Sequence, residues 1–229
     1  MRFPCLPLAR MMLGNCAEDF MKTILIGDIH SCSRELTALL DLVGPGASDH
    51  LILMGDLVNK GPDPGGVIRT VRSLNAICLR GNHENDHLRW LAGVARPKAE
   101  SVRTRDLMKA QDYSDYLAMA EAMPLYYEDP NLIAVHCALV PGVPLEEQYP
   151  SLLTGDETPD PSWKDGIDLG RPLVVGHKRY RRDFAKPCIV KGKFYGIDTG
   201  CVYGGALTAL ELPSEKIWQV RAARDYSEE

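Results

Sequence analysis

The chain has 229 residues, 45% of them apolar and 25% charged, with a formal net charge of −5 at pH 7. That suits one large globular domain and excludes nonspecific nucleic-acid binding as its main task, so no stable nucleic-acid partner is expected. No apolar run approaches the ~20 residues of a membrane-spanning helix, so no membrane partner is expected; seven cysteines without a CxxC pair read as reduced thiols of a cytoplasmic protein.

Residues 1–20 contain an apolar stretch, Phe3–Leu8, broken by Pro4 and Pro7 and followed by Arg10 without a signal-cleavage pattern. They are expected to form a disordered extension, ahead of a folded domain over residues 21–220 and a tail over 221–229. Thr23–Ile26 is the first strand-like run, and it ends in Gly27-Asp28-Ile29-His30. Leu36, Leu39, Leu40 and Val43 then follow helical spacing, which predicts a helix over 33–43, capped by Ser31 or Ser33 and stopped at Gly44-Pro45-Gly46. Leu51–Met54 is the second run, ending in Gly55-Asp56-Leu57-Val58-Asn59-Lys60-Gly61, with a helix expected near 66–74. Ala76–Leu79 is the third, followed by Arg80, by Gly81-Asn82-His83-Glu84 and by a helix near 84–91. This alternation predicts parallel strands.

Residues 93–112, with Arg96, Lys98, Arg103, Arg105 and Lys109, read as a partly helical excursion, its basic stretch over 96–109 a solvated insertion or, alternatively, a substrate cap. A helix over 113–123 stops at Pro124, and the strand Leu132–Val135 ends at His136. A Pro/Gly/Asp-rich loop over 141–171 leads to the strand Leu173–Val175, which ends at Gly176-His177. Two hairpins close the chain, 188–190 with 194–197 and 206–212 with 217–220. A parallel half followed by an antiparallel half predicts an α/β protein in which two sheets pack as a sandwich with helices outside.

The polar motifs all sit at strand ends, where open α/β sheets carry their chemistry. Carboxylate, imidazole and amide oxygen together suit a divalent metal. Asp28, His30, Asp56, Asn82, His136 and His177 are therefore candidate metal ligands. Asp56 is the natural bridge between two ions, the first taking Asp28, His30 and Asp56, the second Asp56, Asn82, His136 and His177. A water between them would be the nucleophile. His83 is the candidate general acid, and Lys60, Arg80 and Asn82 are candidates for contact with a transferred phosphoryl group. Glu84 reads as an acid favouring the N-terminus of its helix, and His50 and His87 as structural. The run Lys178–Arg182 reads equally well as a solvated face or as a contact to an extended polyphosphate or phosphopeptide.

On these residues the chain resembles the calcineurin-like metallophosphoesterases, in the branch of the phosphoprotein phosphatases. Their pattern GDxH, GDxVxxG, GNHE and two later histidines is met in order by Gly27–His30, Gly55–Gly61, Gly81–Glu84, His136 and His177. The resemblance implies an αββα sandwich of two mixed sheets and two divalent ions, manganese foremost, with iron, zinc, cobalt or nickel as alternatives. Serine/threonine phosphatases usually carry Asp-Arg where this chain has Asn59-Lys60; by that resemblance Asn59 orients His83 and Lys60 binds phosphate. The strings Gly55–Pro62 and Ile197–Leu210 are more similar to symmetrical diadenosine tetraphosphatases and their relatives. The resemblance thus implies a nucleotide polyphosphate as substrate, with a phosphoprotein as the alternative. Those bacterial tetraphosphatases are longer, with a larger helical insertion than this chain carries.

Overall fold

Each of the first two strands is apolar after its first residue because both of its faces are covered. In β1 (Thr23–Ile26), Ile24 and Ile26 turn outward to the helices, while Leu25 turns inward to a second sheet. β2 (His50–Leu53) repeats this with Leu51 and Leu53 outward and Ile52 inward. Between them α1 (Ser33–Val43) buries Leu36 and Leu39 against the outer face. The structure, a computed structural model, describes residues 21–160 and 162–227; the expectation for residues 1–20 lies outside them.

The remaining elements are α2 (Pro64–Arg72), β3 (Ala76–Cys78), α3 (Asn82–Leu91), α4 (Ala99–Leu107), α5 (Ala110–Ala122), β4 (Tyr126–Asp129), β5 (Leu132–Val135), a 3-10 turn over Leu145–Glu147 and α6 (Pro150–Thr154). β6 (Leu173–Val175), β7 (Cys188–Val190), β8 (Phe194–Gly196), β9 (Ala206–Leu212) and β10 (Lys216–Arg221) follow. One sheet has the order β10-β9-β1-β2-β3 and the other β4-β5-β6-β8-β7. Both are mixed: β1 is parallel to β2 and antiparallel to β9, and β6 is parallel to β5 and β8. The two C-terminal hairpins are therefore divided between the sheets, rather than forming an antiparallel half of their own.

Three apolar layers follow from this. Leu25, Ile52, Leu210, Ala134, Val174 and Tyr195 fill the space between the sheets. The outer face of the first sheet packs on α1, α2 and α5, with Val67, Ile68 and Tyr116 fully buried. The second sheet is covered by the 137–171 segment, through Leu139, Leu145, Leu153 and Ile167. Each Leu or Ile so buried contributes roughly 1.5–3 kcal/mol.

Local departures from the expectation have clear causes. α1 is preceded by Cys32 without a side-chain cap, because Ser33 Oγ instead donates to Asp63 Oδ2 at 2.7 Å. α2 starts at Pro64, earlier than expected, since Asp63 accepts from Gly66 N at 2.8 Å and proline suits the first turn. β4 was not expected: Tyr126-Tyr127-Glu128-Asp129 is a half-exposed edge strand without alternation, joined to β5 by a turn in which Asp129 Oδ1 accepts from Asn131 N and Leu132 N. The expected tail from 221 instead folds back: β10 runs to Arg221, and buried Tyr226 donates its hydroxyl to Glu35 Oε1 at 2.7 Å. No described helix is long and apolar enough to cross a membrane.

Candidate active site

The parallel strands of both sheets end at one edge of the sandwich. Asp28 and His30 follow β1, Asp56 follows β2, Asn82 and His83 open α3, His136 follows β5 and His177 follows β6. The loops are tied to one another by backbone bonds: His30 N donates to Asp56 O, and Gly176 N to His136 O, both at 2.9 Å. His136 Nδ1 reaches across the sandwich to Met54 O at 2.7 Å. The turns are tight enough to force His30 (φ 46°), Asp56 (φ 51°), Asn59 (φ 72°), Lys60 (φ 63°) and His177 (φ 60°) into the left-handed region.

Asp56 is the hub. Its Oδ2 lies 3.6 Å from His30 Nε2, 3.5 Å from His136 Nε2 and 3.9 Å from His83 Nε2. Donor atoms gather in two groups that share it, His30–Asp56–His83 and Asp56–His136–His177. Gly81 makes the close approach possible, since a Cβ there would overlap Asp56 Oδ1 and stand 2.9 Å from His136 Cε1. Asp28 packs beside this hub, accepting from His177 N at 3.0 and 3.1 Å.

These groups fit a cation. His30 and His136 hydrogen-bond backbone carbonyls of Val58 and Met54 through Nδ1, so their Nε2 lone pairs face the Asp56 carboxylate. An unprotonated Nε2 facing an anion is repulsive unless a positive charge, a proton or a metal ion, lies between them. His30 Nε2 accepts from Lys60 Nζ at 3.0 Å, whereas His136 Nε2 and Asn82 Oδ1 are buried without a hydrogen-bond partner. The electrostatics agree. Burial would lower the His136 imidazole, yet the carboxylates of Asp56 and Asp28 hold it at about 10. Burial and the neighbouring Asp198 carboxylate push Asp28 well up. Burial would also raise Asp56, but His136, His83 and His30 together pull it well below the usual range.

A second ring holds the first. Glu84 Oε2 accepts from Asp56 N and Gly81 N at 2.9 Å, and Oε1 from Leu57 N at 3.0 Å. Asn59, fully buried, lies between two imidazoles: Nδ2 is 2.9 Å from His83 Nδ1, and Oδ1 is 2.9 Å from His87 Nε2. His87 Nδ1 continues to Tyr113 OH at 3.0 Å. Burial lowers His87 to about 4 and His83 to about 3, the latter against the pull of Asp56. From α4, Glu100 Oε1 comes within 3.3 Å of His83 Nδ1, and Arg103 Nη1 donates to Lys60 O at 2.9 Å.

The sequence profile of calcineurin-like phosphoesterases matches residues 21–225, which contain this whole arrangement. The chain is a calcineurin-like phosphoesterase. Family membership implies divalent metal ions. This phosphoesterase is similar to a symmetrical bis(5'-nucleosyl)-tetraphosphatase of Nitrosospira multiformis, at 29% identity over 87% of this chain and 95% of the relative. A bis(5'-nucleosyl)-tetraphosphatase PrpE from Halalkalibacterium halodurans, described as asymmetrical, is 31% identical over 84% of this chain and 91% of its own. Among solved structures, one assigned as a diadenosine tetraphosphatase superposes with a TM-score of 0.72 at 27% identity, covering 90% of this chain and 95% of that one. A serine/threonine protein phosphatase of Saccharomyces cerevisiae, at 15% identity and a TM-score of 0.57 over 90% of this chain and 78% of its own, shares the fold alone.

Within this phosphoesterase, Asp28, His30, Asp56, Asn59, Lys60, His83, His136 and His177 converge, with Asn82 beside them at the start of α3. Arg80 does not join them. Its Nη2 donates to Glu121 O at 2.7 Å, at the far end of α5. Glu84 is more than a helix-terminal acid, and His87 more than a lone core histidine: both bond directly to residues of the hub or its neighbours. From the excursion over 93–112, Glu100 and Arg103 reach the site. Asp198 was also missed as a buried neighbour of Asp28, its position visible only once β8 pairs with β6.

Proposed function

We propose that this phosphoesterase hydrolyses a phosphoanhydride, with a dinucleoside tetraphosphate such as diadenosine tetraphosphate as substrate, in a reducing cytoplasm. The reading rests on Asp56, whose Oδ2 faces imidazole nitrogens of two donor groups at 3.5–3.9 Å. Asp28, His30, Asp56, Asn82, His136 and His177 would hold two divalent ions, manganese foremost. When bound, such ions polarise phosphoryl oxygens and lower the pKa of water.

The chain's own residues do the rest. Lys60 neutralises phosphate charge beside His30. His83 gives a proton to the leaving oxygen. The incoming phosphate charge and the Glu100 carboxylate both favour the protonated imidazole, against the burial that lowers it. Asn59 accommodates either state, since its amide can present nitrogen or oxygen to Nδ1, and His87 and Tyr113 can each donate or accept behind it. The free thiols of Cys32, Cys78, Cys137, Cys188 and Cys201 suit the compartment.

The relatives named as tetraphosphatases support the substrate. A second reading concerns the bond that is cut. The Nitrosospira relative is described as symmetrical and the Halalkalibacterium relative, at similar identity and coverage, as asymmetrical. The test is to incubate the manganese-loaded protein with diadenosine tetraphosphate and resolve the products by anion exchange. Adenosine diphosphate alone means symmetrical cleavage, and adenosine triphosphate with monophosphate means asymmetrical. No nucleotide turnover beside rapid dephosphorylation of a phosphopeptide would overturn the proposal.

A further inference from the structure

Two sequence features take no part in the reaction above, the basic run Lys178–Arg182 and the glycine-rich loop over residues 198–205. In the fold they meet. His177 turns the chain with φ 60°, and two residues later the Arg179 guanidinium carbon lies 4.2 Å from the centroid of the Tyr203 ring and 5.4 Å from that of Phe184. The contact requires glycine at position 200: a Cβ there would stand 3.0 Å from Arg179 Cδ and 2.8 Å from Phe184 Cδ2. Lys60 Nζ also lies against the Tyr203 ring, 5.4 Å from its centroid, while touching His30 Nε2 at 3.0 Å. Tyr203 is therefore the shared platform of two cations, one at the hub and one leading away from it. Asp198 and Asp225 feel the charge of Arg179 without closing an ion pair among the described residues. Arg179 is exposed. A guanidinium laid on an aromatic ring keeps its in-plane N–H groups free for an anion.

We propose that Arg179, held on Tyr203 and continuing the positive charge of Lys60, binds the phosphates beyond the one under attack, so that this subsite selects a linear phosphate chain over a single phosphate group. The inference rests on the phosphoanhydride reading of the site and adds a specificity determinant to it. A monoester has nothing to place there; a nucleoside polyphosphate or an inorganic polyphosphate does.

The test is calorimetric titration of tripolyphosphate, adenosine triphosphate and orthophosphate into the wild type and into Arg179→Gln, at one fixed free manganese concentration. Loss of one charge-assisted contact weakens tripolyphosphate and adenosine triphosphate by roughly 10–100-fold, and the preference for either over orthophosphate falls by the same factor. Arg179→Lys, which keeps the charge but loses the planar fork, falls between. Equal changes for all three ligands, or none for tripolyphosphate, would overturn the inference. A change for adenosine triphosphate alone would mean that the subsite reads the nucleoside, which also overturns it. Because the readout is binding, it is independent of the turnover assay: an enzyme that leaves diadenosine tetraphosphate intact yet loses its tripolyphosphate preference in Arg179→Gln would sink the proposed substrate and leave the subsite standing.

Discussion

Glu84→Gln separates two views of a buried carboxylate. As an acid at a helix N-terminus it would contribute about 0.3–1 kcal/mol. The structure gives it three backbone donors instead, Asp56 N and Gly81 N on Oε2 and Leu57 N on Oε1, at 2.9–3.0 Å. Burial and the charge of Asp56 push it up to about 7, while the amides of Leu57 and Gly81 pull the other way. Glutamine has the same shape but one acceptor oxygen. That oxygen will keep the two-donor position, so the Leu57 N–H then faces an NH2 group and both lose their partner. A hydrogen bond to an ionised acceptor is worth about 1.5–3 kcal/mol and a neutral one about 1. One lost bond and two weakened ones, offset in part by removal of a buried charge, lower stability by about 3 kcal/mol. Urea unfolding of the metal-free protein, followed by fluorescence of its three tryptophans, should show the midpoint falling by roughly 1–1.5 M. A loss below about 1 kcal/mol would refute the clamp and restore the helix-terminal reading.

Four further outcomes are expected. Gly81→Ala drives a methyl group into Asp56 Oδ1, so the purified variant should carry little metal by elemental analysis; full occupancy would show that the hub tolerates displacement. His83→Asn should keep its metal while turnover drops ~10²–10⁴-fold, the usual worth of a general acid, and an unchanged rate would remove His83 from proton transfer. Burial holds His87 at about 4 against an ordinary value of 6.5, so between those pH values the unfolded chain binds more protons and stability falls as pH drops, by up to about 3 kcal/mol; His87→Gln should flatten that slope, and an identical slope would show that another group sets it. Arg80→Ala should leave KM unaltered because its guanidinium bonds to Glu121 O; a raised KM would return Arg80 to the substrate.

The chain announces what is local. An apolar run followed by Gly-Asp or Gly-Asn fixes a strand and the turn that ends it, and β1, β5, β6 and α1 fall where the pattern places them. Sheet membership is different in kind. Whether β9 pairs with β1 or with β8 depends on contacts nearly the length of the chain apart, and no periodicity encodes that choice. The same limit governs the site. Asp28, His30, Asp56 and the later histidines stand in motifs, so their type and spacing mark them. Glu100 stands in none, and Asp198 stands in the string Ile197–Leu210 with nothing local to tie it to Asp28; both reach the site through the pairing of β8 and the packing of α4 on α3. Arg80 shows the converse: closeness in sequence to Gly81 suggests a role at the site, whereas its guanidinium bonds to Glu121 O on α5.

His30, Asp56, Asn59, Lys60 and His177 all hold positive φ, a conformation that costs a residue with a side chain roughly 1–2 kcal/mol. Together they amount to several kcal/mol, comparable with the whole stability of an ordinary domain of about 5–15 kcal/mol. A redesign of this protein for thermal stability alone would write glycine at each of these positions, and would erase an imidazole, a carboxylate, an amide, an amine and a second imidazole in doing so. Here the most stable sequence and the working sequence diverge by design of the backbone. The closely packed double sheet behind the loops is what lets the working one fold.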